Sequence, residues 1–262
     1  MPRANRHHIP GHVWHITHRC HKREFLLKFS KDKKRWLYWL SEAKKRFGLC
    51  ILNYMVTSNH IHLLVPDTDD DVIPKAIQSV AGRTGQEYNA GKKRKGAFWD
   101  DRYHATAVEN DDHLIRCLVY TDLNMVRAGV VKYPTQRMFG GHNEICRPKQ
   151  RYSLINQHEL MNILGIKDDL KLRTYYEQWV ESGMKSESDH REPKWTESIA
   201  VGNRQFVEMT KAQLGTEARG RKVTQENGTY NLKEIQDSYG AVSGPEKVGL
   251  SPENTYFWNE YD

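Results

Sequence analysis

Ser58-Asn59-His60-Ile61-His62-Leu63-Leu64-Val65-Pro66 is the stretch that decides how this chain is read. Side chains alternate across a strand, so His60 and His62 share one face while Ile61, Leu63 and Val65 point to the other. A sheet can thus present two imidazoles to a divalent metal and keep a hydrophobic core behind them. Further along, Leu118-Val119-Tyr120-Thr121-Asp122-Leu123-Asn124 reads as helix, which sets Tyr120 and Asn124 one turn apart on a shared side. A metal-presenting strand with a helix-borne tyrosine points to phosphoryl transfer. Taken singly, each residue has a plainer reading. A His-x-His pair occurs on strands by chance, Tyr120 fits a helix core beside Leu118, Val119 and Leu123, and Asn124 fits a solvated or capping amide.

Working outward, the hydrophobic period changes along the chain in a definite order. Gly11 to Cys20 is read as a strand and Lys31 to Phe47 as a helix with Trp36, Leu37, Leu40, Ala43 and Phe47 on its apolar side, stopped by Gly48. Leu49–Thr57 and Asn59–Val65 are expected to form two tightly joined strands, followed by a helix from about Pro74 to Tyr88 and a strand from Tyr103 to Val108. A further helix from about Asp112 to Arg127, capped by Asn110 or Asp111, ends at Gly129. The expected class is α+β, a ferredoxin-like antiparallel sheet with helices on one face. The other face, carrying the histidines, is expected to hold ligands. Beyond it lies a mainly helical C-terminal extension, including helices at Asp168–Glu181 and Ile199–Leu214. The expected division is 1–145 for the catalytic domain, 146–225 for the extension and 226–262 for an irregular tail.

Charge is regional. The whole chain of 262 residues is +7, yet its first fifty residues carry 13 Lys or Arg against 3 Asp or Glu. A second basic cluster, Lys92-Lys93-Arg94-Lys95, sits between Gly91 and Gly96 and reads as a charged loop. Such clusters suit a phosphate backbone as well as ordinary solvation. The four cysteines, Cys20, Cys50, Cys117 and Cys146, form no close pair of the kind small zinc sites use and are expected as buried thiols. No apolar run approaches the length of a membrane span and the start has no secretion-signal core, so the expected location is cytoplasmic.

Several segments, in order, resemble the tyrosine transposases associated with repetitive extragenic palindromes, relatives of the small insertion-sequence transposases. They are Trp14-His15-Ile16-Thr17-His18-Arg19, the His60-Ile61-His62 strand, Phe98-Trp99-Asp100-Asp101-Arg102-Tyr103, and Tyr120-Thr121-Asp122-Leu123-Asn124-Met125-Val126-Arg127-Ala128-Gly129. Gly165 to Tyr176 and Phe206 to Lys222 are similar, more weakly, to the C-terminal part of longer members. The resemblance implies a metal-dependent endonuclease and strand transferase that cuts single-stranded DNA beside a hairpin and stores the phosphate on a tyrosine. It implies Tyr120 as nucleophile, His60, His62 and Asn124 as metal ligands, Mg²⁺ or Mn²⁺ as cofactor, and a nucleoid-associated monomer rather than a dimer. Where the family commonly follows this asparagine with proline, Met125 stands here, which frees a backbone amide and removes a rigid bend.

The expected DNA contacts are Arg3 and Arg6 on an N-terminal arm, His18, Arg19, Lys22 and Arg23 near the first strand, and the loop Lys92, Lys93, Arg94 and Lys95. His15 and His18 fall on opposite faces of that strand, so both cannot join the histidine pair. Trp99 is expected to anchor its loop to the sheet. The rival reading is a DNA-hairpin-binding protein that uses the same sheet and basic arm with little or no catalysis.

Overall fold

The computed structural model describes residues 9, 11–68, 71–149, 151–186 and 191–234. The chain runs through β1 (Val13–Arg19), α1 (Ser30–Phe47), β2 (Asn53–Val56), β3 (His60–Pro66), α2 (Val72–Lys92), β4 (His104–Val108) and α3 (Asp112–Asp122). These four strands lie in the order β2-β3-β1-β4 with every pairing antiparallel, the ferredoxin-like arrangement. In α1, Trp36, Leu40 and Ala43 are buried at helical spacing, and Gly48, at φ 73°, closes the helix in the left-handed conformation that glycine adopts without strain. Its neighbour α2 buries Ile73, Ala76, Ile77 and Val80. The four cysteines are buried and unbridged, and no helix of the described residues is long and apolar enough to cross a membrane.

The chain continues through α4 (Asn124–Arg127), α5 (His142–Cys146), α6 (Gln157–Ile163), α7 (Asp169–Lys185), α8 (Lys194–Glu197), β5 (Ala200–Gly202), α9 (Arg204–Leu214), β6 (Arg221–Glu226) and β7 (Thr229–Glu234). The extension is therefore helical with three strands added, and these widen the sheet to β2-β3-β1-β4-β5-β7-β6. The helix expected over Ile199–Leu214 begins only at Arg204. Ala200 and Val201 instead pair in parallel with Ala107 and Val108, and the Asn203 side chain caps α9 by accepting the Phe206 N–H. The physical reason is the edge of β4: its Ala107 N–H donates to the Ile199 carbonyl at 2.7 Å, a bond that an exposed edge would lack. Arg221 and Lys222, read from sequence as part of a basic tract, open β6. The β6–β7 turn is Asn227-Gly228, both at positive φ, and the hairpin runs from the end of the expected extension into the stretch expected as irregular tail, whose first residues end β6 and form the turn and β7.

Strand register fixes which residues face the site. Thr17 pairs with His62, Arg19 with His60, and His15 with both Leu64 and Thr106, so these side chains share a face. That face is covered over part of its width by α3, α7 and α8, because His15, Asn53, Leu64 and Thr106 on it are all fully buried and need partners. The helix α7 approaches α3 closely at Gly183, where an added Cβ would lie 2.5 Å from Val119 Cγ1 and 3.1 Å from Leu123 Cδ1. Valine is stiff at χ1 and cannot swing away. Gly183→Ala is therefore expected to destabilise the protein, since overpacking of about 1–3 kcal/mol outweighs the gain of about 1 kcal/mol in helix propensity. Urea unfolding reads the difference as a lowered midpoint.

Candidate active site

The strand β3 carries His60 and His62 with ring centroids 4.9 Å apart and planes at 77°. The Nδ1 atom of His60 lies 2.7 Å from Asn59 Oδ1 and 3.0 Å from Thr57 Oγ1, which leaves its Nε2 for another partner. For His62, Nδ1 lies 2.9 Å from His15 Nε2 and Nε2 lies 3.0 Å from Asn124 Nδ2. Burial lowers both pKa values, His60 to about 4 with Arg19 and Arg191 adding to the effect, and His62 well below 6.5. Both are neutral at pH 7 and keep a lone pair for a metal. Two imidazole nitrogens and a neutral amide oxygen form a donor set that fits Mn²⁺ and tolerates Mg²⁺. In this structure the Asn124 amide meets the His62 lone pair through its nitrogen, Nδ2 donating to His62 Nε2 at 3.0 Å, and its oxygen would be the atom offered to a metal.

Tyr120 arrives on α3, whose N-terminus is capped by the Asp111 carboxylate accepting the His113 N–H at 2.7 Å, and whose Leu114, Cys117 and Leu118 are buried. Its ring stands edge-on to His62 at 6.0 Å and to His15 at 6.1 Å, with Trp195 at 6.2 Å. The Arg127 guanidinium stacks 4.2 Å over the same ring and donates to the Tyr120 carbonyl at 2.5 Å. Tyr120 is only 4 % exposed, and burial pushes its phenol above the ordinary value while Arg127 and Arg191 pull it back. The single helix expected from Asp112 to Arg127 is broken at Leu123, so that Asn124 opens a new turn one residue later. Met125 has a buried side chain, and its carbonyl accepts the Val130 N–H at 3.0 Å.

These groups border a cavity of about 640 Å³ that is also lined by Arg19, Arg23, Arg102, Arg127 and Arg191. Five guanidinium groups around one opening favour a phosphodiester. Among the expected DNA contacts, Arg19 is half-buried on this cavity and Arg23 is exposed at its rim. Exposed Lys22 belongs to the same turn, where its backbone N–H donates to Asp100 Oδ1 at 3.2 Å. His18 borders the cavity, but its ring is buried, stacked 4.1 Å from Trp99, with Nε2 2.8 Å from the Asp101 carbonyl. Those contacts anchor the Phe98–Tyr103 segment rather than present His18 to a ligand. Trp99 itself donates to the Ala81 carbonyl at 3.1 Å, as an anchor should.

Lys92, Lys93 and Lys95 are exposed, whereas Arg94 is half-buried and donates to Asn89, Ala97 and Glu24. Arg3 and Arg6 lie outside the described residues. Sequence reading missed His15, Arg102, Arg127 and Arg191 as site residues. The only signal for His15 was its place on the strand next to the histidine pair. Glu109, Asp111 and His113 form a second cluster with metal-ligand atoms within 4.8 Å of one another. Their capacity is used locally: Asp111 accepts from His113, and Glu109 accepts from Asn203 through both oxygens.

Comparison with known proteins gives three findings. The family model described as "Transposase IS200 like" matches residues 9–121. A solved REP-associated tyrosine transposase bound to a REP hairpin is similar at 19 % identity and a TM-score of 0.48, over 59 % of this chain and 90 % of that one. A putative transposase from Deinococcus radiodurans R1 is similar at 17 % identity and a TM-score of 0.31, over 38 % and 82 % of the respective chains. No curated protein matches. The segment that brings His60, His62 and Tyr120 to one cavity lies within residues 9–121, the part of the chain that is similar to the IS200-like transposases.

Proposed function

We propose that this protein is a transposase, a metal-dependent endonuclease and strand transferase for single-stranded DNA at hairpin-flanked sites, working through a covalent 5′-phosphotyrosine. The observation that carries the reading is the convergence of Tyr120 and the His62–Asn124 pair on one arginine-lined cavity. The hairpin rests on the sequence resemblance. His60, His62 and Asn124 would hold Mg²⁺ or Mn²⁺, which when bound supplies positive charge to the phosphate oxygens. Arg127 holds the tyrosine ring and its carbonyl, and the remaining arginines orient the phosphate. Tyr120 gives up its phenolic proton and its Oη forms a bond to phosphorus. The bond from phosphorus to the 3′ oxygen breaks, and that oxygen takes a proton to become a free 3′ hydroxyl. A 3′ hydroxyl of another strand reverses the exchange, restoring a phosphodiester and the phenol without external energy.

Histidines and tyrosine meet within one chain here, which supports a monomer as the acting unit. The substrate would place it at the nucleoid. The test is incubation of end-labelled hairpins with single-stranded flanks, taken from the DNA beside the gene, followed by a denaturing gel. Adduct and cleavage with Mn²⁺ or Mg²⁺, lost with EDTA, are expected. Tight binding with no adduct under either metal overturns the reading in favour of a hairpin-binding protein.

Because burial raises the Tyr120 pKa, little phenolate exists at neutral pH. Deprotonation therefore limits the nucleophile, and the rate of adduct formation is expected to rise with pH, by up to about tenfold per unit between pH 7 and 9. Single-turnover rates across that range check the slope.

A further inference from the structure

The C-terminal extension reaches beneath the histidine pair. In the one-turn helix α8, the Trp195 carbonyl has no room for a partner of its own helix. It accepts instead from His15 Nδ1 at 2.8 Å and from Thr106 Oγ1 at 3.2 Å. A carbonyl can only accept, so the His15 proton sits on Nδ1. His15 is fully buried, with no carboxylate among the described residues hydrogen-bonded to it, and stays neutral, which leaves its Nε2 bare. The 2.9 Å contact from His15 Nε2 to His62 Nδ1 then requires the proton on His62 Nδ1. His62 Nε2 is left as a lone pair directed at Asn124, 3.0 Å away. The two rings lie nearly parallel, at 6° with centroids 5.1 Å apart, so the chain of contacts also fixes the plane of His62.

We propose that His15 is a positioning residue that, held by the Trp195 carbonyl, locks His62 in the one tautomer able to bind the metal. This deepens the proposed function and rests on its metal site. It also gives the extension a role in the active site, because the group that sets the relay lies beyond the segment shared with the IS200-like family. Outer hydrogen bonds of this kind orient a ligating imidazole and raise its basicity.

The test uses the full chain without DNA, labelled with ¹⁵N at histidine, and reads the His62 tautomer from long-range ¹H–¹⁵N correlations, with His62→Gln identifying the signal. His62 protonated at Nδ1 is expected. Mn²⁺ affinity is then measured by electron paramagnetic resonance of the free ion in wild type, His15→Phe and His15→Gln. Phenylalanine removes both contacts and is expected to weaken Mn²⁺ binding about 10- to 100-fold. Glutamine can donate to the carbonyl and accept from His62 through one amide, so affinity within about threefold of wild type is expected.

His62 protonated at Nε2 in wild type overturns the relay even if no variant folds. Folded His15→Phe with wild-type affinity overturns it as well. A wild type that binds no Mn²⁺ overturns the metal site of the proposed function together with this inference, a result distinct from the other two.

Discussion

Tyr120→Phe is expected to slow DNA cleavage by about a thousandfold or more and to abolish the covalent adduct, while hairpin affinity stays within about threefold. The substitution removes only the phenol oxygen, whose environment is set by burial and by the charges of Arg127 and Arg191 rather than by a hydrogen bond among the described residues. The ring keeps its edge contacts to His15 and His62 and its stack under Arg127, so the cavity retains its shape. Stability is accordingly expected to change by no more than about 0.5 kcal/mol. Rates from single-turnover cleavage, affinity from gel shifts and a melting curve separate these effects. Residual cleavage near the wild-type rate would show that another group attacks the phosphate.

Asp122→Ala is expected to destabilise the fold by about 3–5 kcal/mol, the usual cost of stripping one partner from a buried ion pair. Asp122 is fully buried, accepting from Asn53 Nδ2 at 2.9 Å and Tyr176 Oη at 2.7 Å and facing His142 Nδ1 at 3.1 Å. Burial lowers the His142 pKa, but the hydrogen bond and charge of Asp122, helped by Cys146, outweigh it and carry it up to about 10. His142 is thus a buried cation at pH 7, and alanine would leave it alone. With its folded pKa raised, the pair's contribution is whole below the ordinary value of about 6.5 and fades as pH climbs toward 10. Urea unfolding of both forms at pH 6 and pH 9.5 checks this, with the gap expected to narrow at the higher pH. The same carboxylate ties α3 to β2, α5 and α7, so the loss also loosens the helix that carries Tyr120.

Local periodicity made much of this legible. Alternation along Asn59–Val65 set His60 and His62 on one face, helical spacing set Tyr120 near Asn124, and Gly48 ended α1 where its left-handed preference said it would. What stayed hidden depends on partners far away in the chain. His15 becomes a site residue through a carbonyl 180 positions along, and Arg191 reaches the cavity from beyond α7. No window of sequence contains both ends of such a contact. The strand β5 has only three residues, too few for a period, and it exists because the β4 edge offers it hydrogen bonds. The strand β6 shows no apolar alternation because most of its residues are exposed, yet the Asn227-Gly228 turn was a readable hairpin signal. The break at Leu123 escaped notice for another reason: it falls inside a continuous apolar pattern, and its cause is three-dimensional, with Arg127 taking the Tyr120 carbonyl.

The central claim is that Tyr120 forms the bond to DNA. Its most direct test is mass spectrometry of the tryptic digest after reaction with a 5′-flanked hairpin, Mn²⁺ and nuclease trimming. Trypsin releases Cys117–Arg127, in which Tyr120 is the sole tyrosine. A nucleotide phosphate carried by Tyr120 of that peptide, absent when EDTA replaces metal, is the expected result; the same mass found on any other residue, with Tyr120 unmodified, would contradict it.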